Sequence, residues 1–287
     1  MHDLSGQLHR LCDEEPYDVI WYLKNLATGE VVERNAEEVV PSASTRKIAI
    51  LMAALKQVNE GRLSLDQPIT MEARYQNNNS GTFQHLRPGF TITLQDVLTM
   101  MIIVSDNTCT GTVADIVGLD QVNDLCRSIG MVGTTHRQGI PSGLYPDHPV
   151  EMTNATTPRD LGILLDVILR GTQDAEAAAS LGCTPHLCEL GINILSWQKL
   201  RARLPFMLPH GTRVAHKTGT GARNINDAGI IYGSQDRPLF ILTVLTDGVP
   251  TGDLPGGMPG YASAQRLISR MARLCYDHMS EGGMDSR

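Results

Sequence analysis

The chain has no run of apolar residues long enough to cross a bilayer; Val97–Val104 and Leu239–Leu245 are the longest candidates and read as core. It also lacks a dense basic cluster. With a net charge of −7 it carries nothing that would track phosphate backbones, which excludes a nucleic-acid partner. Six cysteines (12, 109, 126, 183, 188 and 275) form no CxxC pair and no finger spacing with histidine. No metal and no cofactor is expected, and scattered reduced thiols fit better than a disulfide framework, although Cys183 and Cys188 are close enough to bridge. The first residues, Met-His-Asp-Leu-Ser-Gly-Gln-Leu-His-Arg, contain no apolar core for export. The sequence as written therefore implies a cytoplasmic protein, while the mature end of a secreted chain would look the same.

What is present is a globular composition, 41% hydrophobic and 19% charged over 287 residues, with 27 Gly and 15 Pro spread along the chain. Leu4, Leu8 and Leu11 predict a helix over residues 3–13. Tyr17–Leu26 and Glu30–Arg34 read as a hairpin turning at Ala27-Thr28-Gly29. After Pro41 an apolar helix begins, with Ile48, Leu51, Met52, Leu55 and Val58 on one face and Gly61 at its end. Residues 60–92 read as loop, broken most plainly at Asn77–Gly81. Thr93-Leu-Gln-Asp96 caps a helix through Val104, another covers Cys109–Val117, and Thr157-Pro158-Arg159-Asp160 starts one through Arg170. The stretch 136–155 has no period. Strands follow at Val214–Lys217, Ala228–Tyr232 and Leu239–Leu245, and an amphipathic helix closes the chain over Tyr261–His278.

Strands at both ends with helices between them imply an α+β fold. Its mostly antiparallel sheet is built from both chain ends and flanked by helices, with an all-helical insertion. The division is 1–45 with 205–287 for the sheet part and 46–204 for the helical part, with the site in the cleft between them.

Three short motifs stand in order: Ser44-Thr45-Arg46-Lys47 opening the apolar helix, Ser105-Asp106-Asn107 after the Thr93 helix, and Lys217-Thr218-Gly219 ending a strand. Each is weak alone, and a second S-x-x-K occurs at Ser196–Lys199, where it follows the Ser-Asp-Asn element and precedes no comparable helix. Conjunction and order carry the argument. A serine hydroxyl needs a base within reach to act as nucleophile. Spacing of three on a helix brings the Lys47 amine toward Ser44, and burial together with a neighbouring cation, Lys217, lowers a lysine's proton affinity. Ser105 can relay a proton to a leaving nitrogen, and Asn107 can fix a substrate amide or Lys47. Lys217 with the Thr218 and Thr220 hydroxyls suits a substrate carboxylate, and Gly219 leaves room for substrate along the strand edge. His216 and His136 read as structural.

These motifs, with Asn154–Leu161, Ala215–Gly219 and Asn226–Ile230, resemble the serine β-lactamase and penicillin-binding-protein superfamily, and in particular its class A β-lactamase-like serine hydrolases. The resemblance implies the class A fold, an acyl-enzyme on Ser44 and an oxyanion hole from the backbone N–H groups of Ser44 and Thr220. β-Lactamase activity is the first expectation. A cytoplasmic amidase or cyclic-amide hydrolase, a D-Ala-D-Ala-type peptidase and a slowly deacylating β-lactam sensor are the alternatives. The expected partner is a small carboxylate-bearing amide, lactam or ester. One departure stands out. Class A enzymes carry a Glu-x-x-Leu-Asn loop whose glutamate activates the deacylating water, whereas Glu151 and Asn154 are three apart, not four, in a shortened loop. Asp147 or Glu151 is left to supply that carboxylate, with Glu151 the named candidate.

Overall fold

The computed structural model describes residues 1–140 and 148–281. Its centre is a five-stranded antiparallel sheet made of β1 (Asp18–Asn25), β2 (Val31–Arg34), β7 (Val214–Thr220), β8 (Ile225–Tyr232) and β9 (Pro238–Asp247), in the order β2-β1-β9-β8-β7. Two-residue and three-residue ladders join β3 (Val40–Pro41) to β6 (Ala155–Thr156) and β4 (Pro68–Thr70) to β5 (Thr91–Thr93). The helices are α1 (His2–Asp13), α2 (Lys47–Asn59), α3 (Leu94–Ile103), α4 (Asn107–Val117), α5 (Leu119–Ser128), α6 (Pro158–Gly171), α7 (Ala175–Ser180), α8 (Pro185–Ser196) and α9 (Gly260–Glu281).

The period-two alternation of a strand sorts the sheet's side chains between two cores. Ile20, Ala228, Ile230, Ile241 and Leu245 face one cluster, which continues through α2, α3, α4, α6 and α8. Val19, Trp21, Leu23, Ile231, Phe240, Leu242 and Val244 face the other, closed by Leu4 and Leu8 of α1 and by Leu267, Ile268 and Met271 of α9. Both faces are covered, so β8 and β9 read as almost continuous apolar runs. The expected α+β architecture, with an antiparallel sheet from both chain ends, is what forms.

Boundaries hold where capping chemistry is explicit. The Thr93 hydroxyl accepts from the Asp96 N–H at 3.2 Å and starts α3, and Thr157 accepts from the Asp160 N–H at 3.0 Å to start α6. Three expectations change. The apolar helix begins at Lys47 rather than at the motif, because Ala43–Arg46 forms a 3-10 turn running into it. That helix is buried around almost its whole circumference from Lys47 to Leu55, since α4, α5 and α8 surround it; its one-faced reading was too narrow. The helix expected at Cys109 starts two residues earlier, where the Asp106 carboxylate accepts from the Cys109 N–H at 3.1 Å. All six cysteines are buried and unpaired, so Cys183 and Cys188 do not bridge.

Because the cap is buried and holds the start of the helix lying against β1 and β9, Thr157→Ala should lower unfolding free energy by about 1 kcal/mol in urea denaturation. An unchanged midpoint would show that tertiary packing alone fixes the helix start.

Candidate active site

Ser44 sits in the 3-10 turn between β3 and α2, and that turn is clamped from three sides. The Ser42 N–H and hydroxyl both donate to the Asn154 carbonyl, at 2.8 and 3.0 Å. The Asn224 and Asn226 amides donate to the Pro41 carbonyl at 2.6 and 3.1 Å. From β7, Gly219 packs directly on the turn: a Cβ there would lie 3.1 Å from the Ala43 Cβ, the Ser42 carbonyl oxygen and the Thr45 methyl. The missing side chain thus admits the turn, a demand on this position that the expectation of substrate room did not include. Ala43 itself has φ +45°, a conformation that costs a non-glycine residue of order 1 kcal/mol and is held by these clamps.

The Ser-Asp-Asn element follows α3. Its serine also has positive φ (+58°), and Asp106 is fully buried, its carboxylate accepting from the Thr82 and Phe83 N–H groups at 2.7 and 2.8 Å. Those bonds draw in the 77–81 loop, whose Gly81 (φ +95°) lies so close that a Cβ would meet the Asp106 Cα at 2.4 Å. Ser80 then donates to the Ser105 carbonyl at 3.0 Å, and its own carbonyl accepts from the Asn107 N–H at 2.9 Å.

Lys47 joins the two elements. Its amine donates to the Ser105 carbonyl (2.8 Å), the Ser105 hydroxyl (3.1 Å) and Asn107 Oδ1 (2.8 Å), while the Ser44 hydroxyl has no partner among the described residues. The three-residue spacing therefore does not place a Lys47–Ser44 hydrogen bond in this unliganded arrangement. Three acceptors would suit an ammonium, but burial foremost, then the cations Lys217 and Arg46, hold the Lys47 proton affinity well below the ordinary lysine value.

Lys217 is likewise fully buried, donating to the Thr218 carbonyl at 2.8 Å. Desolvation brings its pKa down to about 7, with Arg203 lowering it further and Asp227 opposing. Asp227 also accepts from the Leu204 N–H at 3.1 Å and pairs with His216 Nδ1 at 2.9 Å. Arg203, absent from the sequence expectations, donates to the Gly219 and Asn226 carbonyls and to the Thr220 hydroxyl, so it holds the end of β7 from behind. No motif marks it; only the fold brings a loop arginine to that strand.

A cavity of about 420 Å³ opens on this assembly. Ser44, Lys47, Asn107 and Thr220 line it, with Arg46, Asn79, Ser80, Thr153, Asn154 and Asn224. Ser105, Lys217, Thr218 and Gly219 stand buried behind its wall. Glu151 is exposed on a 3-10 turn and does not line it, and Asp147 lies outside the described residues. The second S-x-x-K is no part of it: Ser196 bonds back to the Ile192 carbonyl, and Lys199 is exposed. Among the described residues no cluster of His, Cys, Asp or Glu could hold a metal ion.

A family model described as the beta-lactamase enzyme family matches residues 3–279. The chain belongs to the beta-lactamase enzyme family. It is similar to the extended-spectrum beta-lactamase PER-1 of Pseudomonas aeruginosa, at 27% identity over 252 residues covering 84% of this chain and 76% of that one. Among solved structures, a beta-lactamase from Sphaerobacter thermophilus superposes with a TM-score of 0.84 at 25% identity over 98% of each chain. A point mutant of PBP-A, solved as an acyl-enzyme complex with penicillin G, superposes with a TM-score of 0.80 at 26% identity over 98% of this chain and 97% of that one. The fold is that of class A beta-lactamases, and the protein is a serine hydrolase of the family, acting on amide C–N bonds.

The buried Lys217 generates a stability test. Between about pH 7 and the ordinary lysine value of 10.5, the unfolded chain holds a proton on this group that the folded chain has lost, so folded-state stability rises with pH across that window. Lys217→Met should be more stable than the parent at pH 7 by ~1 kcal/mol or more, and the advantage should shrink by pH 9.5. Denaturant titrations at both pH values check this; a gap independent of pH would mean that Lys217 is not desolvated as described.

Proposed function

We propose that this enzyme is a serine β-lactamase whose Ser44 is acylated by β-lactams and released slowly. The observation that carries the reading is the buried Lys47 amine, depressed in proton affinity, joined to Ser105 and Asn107 and sharing one cavity with Ser44. In the proposed step the Lys47 lone pair takes the Ser44 proton as Oγ attacks the lactam carbonyl carbon. The Ser44 and Thr220 N–H groups stabilise the oxyanion. As the C–N bond breaks, the Ser105 hydroxyl gives its proton to the leaving nitrogen and regains one from Lys47 across their 3.1 Å contact. Thr220 on the cavity wall receives the substrate carboxylate, with the buried Lys217 and Thr218 supporting it from behind, and Asn107 orients the substrate amide.

Slow release rests on composition: among the described residues no carboxylate lines the cavity, and exposed Glu151 stands off it. The same observation favours a second reading, a persistent acyl-enzyme in a sensor or D-Ala-D-Ala-type peptidase. An amidase acting on other cyclic or linear amides uses the same groups. We further assign the sheet part to 1–45 and 205–287 and the helical part to 46–204; the core under α1 and α9 supports this, since all of it but Leu204 comes from the sheet part, while the other core joins the two parts. Six buried, unpaired thiols support a reducing, cytoplasmic location; among the described residues no helix is long and apolar enough to cross a membrane.

Intact-mass spectrometry after adding benzylpenicillin tests the reading. The parent should gain one penicillin mass that persists for many turnovers of a fast enzyme and then decays, and Ser44→Ala should gain none. Labelling that survives in Ser44→Ala removes Ser44 as nucleophile, and an adduct that never decays selects the sensor or peptidase reading. Glu151→Gln should leave the decay rate unchanged; a fall of tenfold or more would return Glu151 to the mechanism.

A further inference from the structure

The cavity holds one charged group that the proposed reaction does not use. Arg46, immediately before Lys47, is only 3% exposed. Its Nη2 donates to the Gly139 carbonyl, and its Nη1 is buried with no hydrogen-bond partner among the described residues. Burial lowers its pKa to about 10, which leaves the guanidinium charged at neutral pH, and no carboxylate contributes to that shift. Buried charges are ordinarily paired, so a guanidinium in a cavity wall with no carboxylate partner among the described residues is an open demand for an anion.

A second orphan donor lies beside it. Asn154 is 5% exposed, and its Oδ1 accepts from the Arg137 and Gln138 N–H groups at 2.7 and 3.0 Å. Those two donors fix which end of the amide is oxygen, and Nδ2 is left buried without a partner among the described residues. Gln138 and Gly139 are neighbours, so the heads of Asn154 and Arg46 converge on one short stretch of backbone. Both residues line the cavity that holds Ser44.

We propose that Arg46 and Asn154 form a second anion subsite, which receives a carboxylate carried on the acyl portion of the substrate. The leaving-group carboxylate is already accounted for by Lys217, Thr218 and Thr220. An anion at Arg46 therefore belongs to the acyl side of the scissile bond, and the favoured substrates are lactams or amides with two carboxylates. The proposal rests on the reading that Ser44 is acylated by lactams. It runs against the protein's overall charge of −7, which disfavours a second negative charge on the ligand, so any preference must arise locally.

Carbenicillin is benzylpenicillin with a carboxylate on the benzylic carbon, and the pair isolates this contact. At fixed ionic strength, second-order acylation rates from intact mass should favour carbenicillin by about tenfold in the parent, the worth of one charge-assisted hydrogen bond in a buried site. Arg46→Gln should bring the ratio to one or below. Asn154→Asp keeps the acceptor for the Arg137 and Gln138 N–H groups, supplies an internal carboxylate to Arg46 and should collapse the ratio in the same way. A parent ratio of one, or a ratio that survives both variants, overturns the subsite while leaving Ser44 acylation intact. Should neither penicillin acylate Ser44, calorimetry decides separately: phenylmalonate, the free acyl group of carbenicillin, should bind the parent at least tenfold more tightly than phenylacetate does, and this margin should vanish in Arg46→Gln. Equal binding of the two acids would overturn the subsite on its own.

Discussion

Four cationic side chains, Arg46, Lys47, Arg203 and Lys217, are buried around the single turn that carries Ser44, and keeping that much positive charge out of water is the constraint on which the rest depends. Removing one ion from water costs several kcal/mol unless something replaces the lost solvation. Here the replacement is largely backbone carbonyl oxygen: Ser105 for Lys47, Thr218 for Lys217, Gly219 and Asn226 for Arg203, and Gly139 for Arg46. A carbonyl dipole offsets part of the cost without adding a full negative charge. A carboxylate in the same place would have raised each lysine's proton affinity and ended its use as a base. The choice of partner, as much as the choice of lysine, sets the chemistry.

Such an arrangement survives only on a rigid support. Positive φ at Ala43 and at Ser105 places both serines on strained backbone, and the surrounding bonds leave neither residue an alternative. Asp106 shows how the support is assembled, because one carboxylate caps α4 and ties down the 82–83 backbone. The strand carrying Lys217 is equally fixed, paired along its length with β8 and pressed by Gly219 onto the nucleophile turn.

Local chemistry made much of this legible from residues alone. Threonine caps at 93 and 157 and the hairpin at 27–29 each state their role within a few residues, and the structure forms them accordingly; the three ordered motifs come together around one cavity. What escaped was whatever depends on closure between distant segments. Arg203 reaches β7 from a loop, and Asn79 and Ser80 look like an ordinary chain breaker until Asp106 collects them. The α5, α7 and α8 helices went unread amid weaker signals, and α2 could not disclose that neighbours would surround it. The packing of Gly219 on the 42–45 turn is invisible in sequence because that turn lies far away along the chain.

Pairing between β1 and β9 carries a consequence for how the protein comes into being. Asn25 lies opposite Phe240 and Asp18 opposite Asp247, so the earliest strand meets its central partner only after nearly the whole chain exists. Loop closure of that length is entropically slow and raises contact order. While the ribosome is still working, Val19, Trp21 and Leu23 have no β9 to cover them, and an unpaired apolar edge waits in the nascent chain. Synthesis is therefore the interval in which this enzyme is most exposed to aggregation, and the risk ends only when β9 has paired and α9 has closed over that face.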